Sequence, residues 1–147
     1  MARRLERLEE LAVQLRNDYG RTVQVVTADL ANEQDVSQVE ALVGSATDLR
    51  VLVNCAGLGA LGMTTSIDPA MVDNMLKVNV VALTRLSLAA ARRFAPAKEG
   101  TIINIGSVVA FMPVPGAGGY SGSKPMFSTS PGHSRQNSLR AMSQFRW

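Results

Sequence analysis

Apolar residues recur along positions 1–124 with two alternating periods. From Ala2 to Tyr19, Leu5, Leu8, Leu11, Ala12 and Leu15 form one stripe with Arg and Glu elsewhere. That spacing predicts an amphipathic helix, with Gly20 placed to end it. Thr22 to Ala28 (Thr-Val-Gln-Val-Val-Thr-Ala) is β-branched and mostly apolar, which predicts a strand closed by Asp29-Leu30. Val36, Val39, Leu42 and Val43 return to helical spacing, with Asn32 or Asp35 as cap. Val51-Leu52-Val53 predicts a short strand that runs into Asn54-Cys55-Ala56-Gly57. After a loop rich in Gly and Thr, Met71, Met75, Val78, Leu83, Leu86 and Ala90 predict a long helix from about Pro69 to Ala95. Pro69 suits its first turn and Pro96 is expected to stop it. Thr101 to Ile105 predicts another strand, turning at Gly106, and a helix is expected to begin near Gly119.

Strand and helix thus alternate, the pattern of an α/β protein with a parallel sheet and helices on both faces. The pattern stops at Lys124. Residues 125–147 carry Pro125, Pro131, many serines and no stripe. Residues 1–124 are therefore read as the folded domain, and 125–147 as a disordered or unrelated basic tail.

Charge changes little in this picture. The net charge of +3 comes from Arg135, Arg140 and Arg146 in a tail without acids, because residues 1–124 balance their charges. No basic face is visible on the folded part, so no nucleic-acid partner is expected. No apolar run approaches the ~18 residues of a membrane span. The opening Met-Ala-Arg-Arg-Leu-Glu has no apolar signal core, and Cys55 is the single cysteine, so the cytoplasm is the expected compartment.

The candidate chemistry lies between Gly100 and Lys124. Ser107 falls at the end of the last strand, and Tyr120 and Lys124 stand four residues apart, on one face of a helix. A hydroxyl, a phenol and an amine beyond the carboxyl end of a strand occupy the place where open α/β sheets bind ligands.

Four further signals share the order of one family. Asp29-Leu30 follows a strand, Asn54-Cys55-Ala56-Gly57 makes a turn, Asn79 lies in Lys-Val-Asn-Val, and Ser107 precedes Tyr-Ser-Gly-Ser-Lys by 13 residues. Over residues 2–124 the chain resembles the short-chain dehydrogenase/reductase family. The resemblance implies a Rossmann-like doubly wound parallel sheet. It also implies NAD(P)-dependent interconversion of a small-molecule alcohol and carbonyl, the cofactor carrying the hydride and the protein supplying orientation and acid. Tyr120 is then the general acid/base. A phenol is a poor base at its ordinary pKa of about 10, and a nearby cation favours the phenolate; the resemblance makes Lys124 that cation and a partner of the nicotinamide ribose. Ser107 would hold the substrate oxygen and Asn79 would complete a proton relay through water.

The remaining positions become cofactor contacts by the same resemblance. Asp29 and Leu30 would lie near the adenine, while Asn54, Ala56 and Gly57 would let the backbone approach the adenosine ribose. Cys55 replaces the usual Asn and is read as a small buried hydrophobe. Arg3 and Arg4 fall where a guanidinium could hold a 2′-phosphate, which slightly favours NADP(H) over NAD(H); solvated arginines at a helix start are the alternative. No metal is expected. A family-like homo-oligomer would pair through helices 69–95 and after 119.

The same comparison implies missing parts. No Gly-x-x-x-Gly-x-Gly turn for a pyrophosphate occurs in the sequence. In the strand order 3-2-1-4-5-6, Thr22–Ala28, Val51–Val53 and Thr101–Ile105 are the third, fourth and fifth strands, so the two between the third and fourth are absent. That leaves a gap of roughly 14 Å beside Thr22–Ala28. The expectation is an incomplete chain with weak dinucleotide binding and no turnover. The alternative is a non-catalytic fragment that associates with full-length relatives through its long helix.

Overall fold

The amphipathic stripe of the first segment forms helix α1, Leu5–Tyr19, which ends where Gly20 turns left-handed at φ 60°. In this computed structural model residues 1–63, 65–111 and 115–124 are described. The tail from 125, read as disordered or unrelated, lies outside them. Helix α2, Glu33–Ser45, starts at Asn32, whose side chain accepts from the Gln34 and Asp35 N–H groups. Between the two candidate caps Asn32 is therefore the one used. Strand β1, Val51–Asn54, is followed by helix α3, Pro69–Leu76, capped by Asp68 with Pro69 in its first turn. A π-helical segment, Lys77–Ala82, leads on into helix α4, Leu83–Ala97. Strand β2, Thr101–Asn104, a 3₁₀ turn at Val108–Ala110 and helix α5, Gly118–Ser123, complete the order.

Strands β1 and β2 pair in parallel, in register from Val51 opposite Thr101 to Asn54 opposite Asn104. One face of this pair carries Leu52, which packs against a core of Ala28, Val39 and Leu86 together with Leu30 and Val43. That core joins α2 and α4 to the sheet. Arg85 on α4 reinforces it, its Nε and Nη2 donating to the Glu40 carboxylate at 2.9 and 2.6 Å. Val51 and Val53 point to the opposite face and are 49% and 53% exposed, as period-two alternation requires. No helix among the described residues is long and apolar enough to cross a membrane.

Four expectations change. Thr22–Ala28 does not form a strand. It meets the chain at one parallel bridge, Ala2 opposite Thr27, where the Ala28 N–H donates to the Ala2 carbonyl at 3.1 Å. A ladder needs a continuous neighbour, and here a single residue is in place. The same bridge holds Ala2 outside the first helix, so α1 begins at Leu5 with Arg4 extended. Pro96, too, does not stop the long helix. It sits inside α4, where its fixed φ suits the last turn, and the helix ends at Lys98 with φ 52°. The Lys77–Ala82 π segment interrupts the single α-helix predicted from Pro69 onwards.

Candidate active site

Two adjoining clefts open beyond the carboxyl end of β1. One, of about 320 Å³, is lined by Ala2, Arg3, Ala28, Asp29, Leu30 and Ala56 among others. The other, of about 420 Å³, is lined by Gly59, Leu61, Ile105, Gly106, Tyr120 and Lys124. Cys55, Gly57 and Leu58 line both, so the pair reads as one groove running past the end of the strand. Cys55 is exposed, which corrects the expectation of a buried thiol. It follows Val51 and Val53 in the alternation and shares their uncovered side.

At the second cleft the Lys124 Nζ lies 5.3 Å from the centre of the Tyr120 ring, a cation–π distance. Gly57 lies against the ammonium of this pair. A Cβ there would come within 3.1 Å of the Lys124 Nζ, tighter than most side chains tolerate, and would touch the Asn79 Oδ1 at an ordinary 3.5 Å. The turn residue thus lets the ammonium approach the backbone.

Asn79 lies beneath, in the π segment, and is 3% exposed. Its Oδ1 accepts from the Leu58 N–H at 2.8 Å and its Nδ2 donates to the Leu58 carbonyl at 2.8 Å. The Nδ2 also donates to the Ser123 Oγ at 3.1 Å. Local widening of a helix to π geometry is frequent at functional sites; here it carries the side chain that ties three segments together. Ser107 stands apart. It is extended at φ −150°, its carbonyl accepts from the Ala110 N–H at 3.0 Å, and it lines neither cleft.

The other end of the groove is looser. Arg3 Nη1 lies 3.9 Å from the Asp29 carboxylate, with both side chains substantially exposed. Asp29 also accepts from the Ala31 N–H at 3.0 Å, and the Asp29 N–H donates to Asp35 at 2.7 Å. Leu30 is shared between cleft and core. Asn54 turns the other way. Its Nδ2 donates to the Ser87 Oγ at 3.0 Å and the Asn104 Oδ1 at 2.9 Å, fastening β1 to α4 and β2. Ala56 and Gly57 line the groove where the backbone is open to a ligand. The sequence reading missed Leu58 and Ser123, whose bonds to Asn79 span 21 and 44 positions.

The fold is an incomplete Rossmann-like α/β architecture, with helices and a short parallel sheet. The short chain dehydrogenase sequence family matches residues 1–128, and the chain belongs to that family. Nodulation protein G of Rhizobium sp. (strain N33) is 33% identical over 122 residues, covering 82% of this chain and 48% of that protein. The bulky-bulky ketone specific alcohol dehydrogenase from Comamonas testosteroni superposes with a TM-score of 0.81 at 37% identity, over 84% of this chain and 50% of that one. A short-chain dehydrogenase from Sphingobium yanoikuyae in complex with NADPH gives 0.80 at 35% identity, over 83% and 48%. The chain spans about half the length of these relatives.

Proposed function

We propose that the chain carries the catalytic end of an NAD(P)-dependent oxidoreductase that interconverts an alcohol and a carbonyl. The observation that carries this reading is the Tyr120–Lys124 pair, its ammonium against Gly57, at one end of a groove whose other end holds Arg3, Asp29 and Leu30. A groove with an aromatic–ammonium pair at one end and a guanidinium at the other fits a long two-ended cofactor. When bound, that cofactor supplies or accepts the hydride.

The protein's residues then move one proton. In reduction the Tyr120 hydroxyl gives its proton to the carbonyl oxygen as the carbon receives hydride, and the phenolate left behind faces the Lys124 ammonium. Oxidation runs the same steps backwards. By the family resemblance the Ser107 hydroxyl would hold the substrate oxygen, although here it lines neither cleft. The Asn79 side chain has both amide protons and its oxygen engaged by Leu58 and Ser123, so it also fixes the groove wall beside any relay through water. Arg3 lines the adenosine end and would meet a 2′-phosphate, which favours NADP(H).

The sequence holds no Gly-rich pyrophosphate turn, so the 147-residue chain alone is expected to bind NADPH weakly and not to turn over. The test is a graft in which residues 1–124 replace the matching stretch of the Comamonas testosteroni alcohol dehydrogenase. NADPH- or NADH-dependent ketone reduction is expected; a folded but inactive graft would refute the assignment. A second reading, association with relatives through the long helix, draws on Val81 and Leu88, seven positions apart and half exposed. Size-exclusion chromatography with and without a full-length relative separates the two.

A further inference from the structure

Helix α5 holds Tyr120, with Lys124 at its end, yet has little to hold it together. Its sequence Gly-Gly-Tyr-Ser-Gly-Ser has glycine at three of six positions and no side-chain cap at its N-terminus. Glycine disfavours helix relative to alanine, and helices this short do not persist alone. The phenol must therefore be fixed from outside the helix.

Ser123 supplies the connection. It is 4% exposed. Its Oγ donates to the Tyr120 carbonyl at 2.8 Å and accepts from the Asn79 Nδ2 at 3.1 Å. A hydroxyl has one proton and two lone pairs, so this serine can serve both at once. Asn79 in turn grips both backbone groups of Leu58, which lines the cleft. A continuous chain of bonds thus runs from the groove wall through Asn79 and Ser123 to the main chain of Tyr120. Ser121, on the same helix, offers the contrast: its Oγ is shielded from solvent and has no partner among the described residues.

We propose that Ser123 is a positioning residue, its hydroxyl coupling the Asn79–Leu58 clamp to the Tyr120 backbone and so setting the phenol beside the Lys124 ammonium at the cleft. Ser123 does not line the cleft and touches no reacting atom. The inference rests on Tyr120 being the acid/base, but its test does not.

The chain has two tyrosines, and Tyr19 is 68% exposed on α1. Labelling the 147-residue protein with 3-fluorotyrosine gives one ¹⁹F signal for each, assigned with Tyr19→Phe. Ser123→Ala is expected to move the Tyr120 signal, leave the Tyr19 signal in place, and speed exchange of the Asn79 side-chain amide roughly tenfold. Ser123→Thr, which keeps the hydroxyl, should retain the native signal, and Ser121→Ala should change neither reading. If Ser123→Ala loses its dispersed spectrum, Ser123→Cys, close in size but a weak partner, must move Tyr120 instead. An unmoved Tyr120 signal, or an equal movement in Ser121→Ala, overturns the proposal even if the graft is active. An inactive graft with the expected shifts removes the catalytic reading and leaves the coupling demonstrated.

Discussion

The two ends of the groove are built in different ways. At the Tyr120 end, a buried amide on the π segment makes three hydrogen bonds, and a glycine is packed against an ammonium. At the Arg3 end, one backbone bridge and one exposed ion pair of 3.9 Å hold the first residues to Asp29. Buried, fully paired polar groups define a single arrangement, and losing one partner leaves the others stranded in low dielectric. Exposed pairs are screened and contribute little. The Tyr120 end is therefore arranged before any ligand arrives, while the Arg3 end depends on what it binds.

The largest break in this contrast should come from Asn79→Ala. It strands the Leu58 N–H and carbonyl and frees Ser123, and unmade buried hydrogen bonds cost about 1–3 kcal/mol each, so a loss of about 3 kcal/mol is expected in urea unfolding. A loss under about 1 kcal/mol would show that water replaces the amide and that the end is not preorganised. Gly57→Ala comes next. Its Cβ would press on the Lys124 Nζ at 3.1 Å; the flexible lysine can yield, so unfolding should shift by only about 1 kcal/mol or less. Ketone reduction by the graft should nonetheless fall at least about tenfold, since the ammonium leaves its place beside Tyr120. Equal loss of stability and activity would mean that the backbone moved rather than the lysine. Arg3→Ala should be smallest, within about 0.5 kcal/mol in stability. In the graft it should weaken NADPH more than NADH; equal weakening would remove the 2′-phosphate role.

How much of this could be read from the chain follows the same division. The helices were legible because their stripes repeat over several turns; of the two caps the sequence offered for α2 the structure uses Asn32, while the Asp68 cap of α3 went unread beside Pro69. Tyr120, Lys124 and Gly57 were legible as a family-ordered set, and the cleft brings them together. Thr22–Ala28 misled because β-branched composition reports suitability for a sheet, while a strand also needs a neighbour, which only Ala2 supplies. Cys55 misled because its burial depends on whether the Val51–Val53 face is covered. Ser123 left no local signal. A serine before a lysine is ordinary, and its meaning appears only when a residue 44 positions earlier is folded against it.

The central claim is that Tyr120 transfers the proton at the arranged end of the groove. The most direct measurement is kcat for ketone reduction in the graft with and without Tyr120→Phe, with folding checked by circular dichroism. General acid–base catalysis contributes about 10²–10⁴-fold, so a loss of at least about a hundredfold is predicted, with nicotinamide binding retained. A Phe variant that keeps kcat within about threefold of the parent graft would contradict the account.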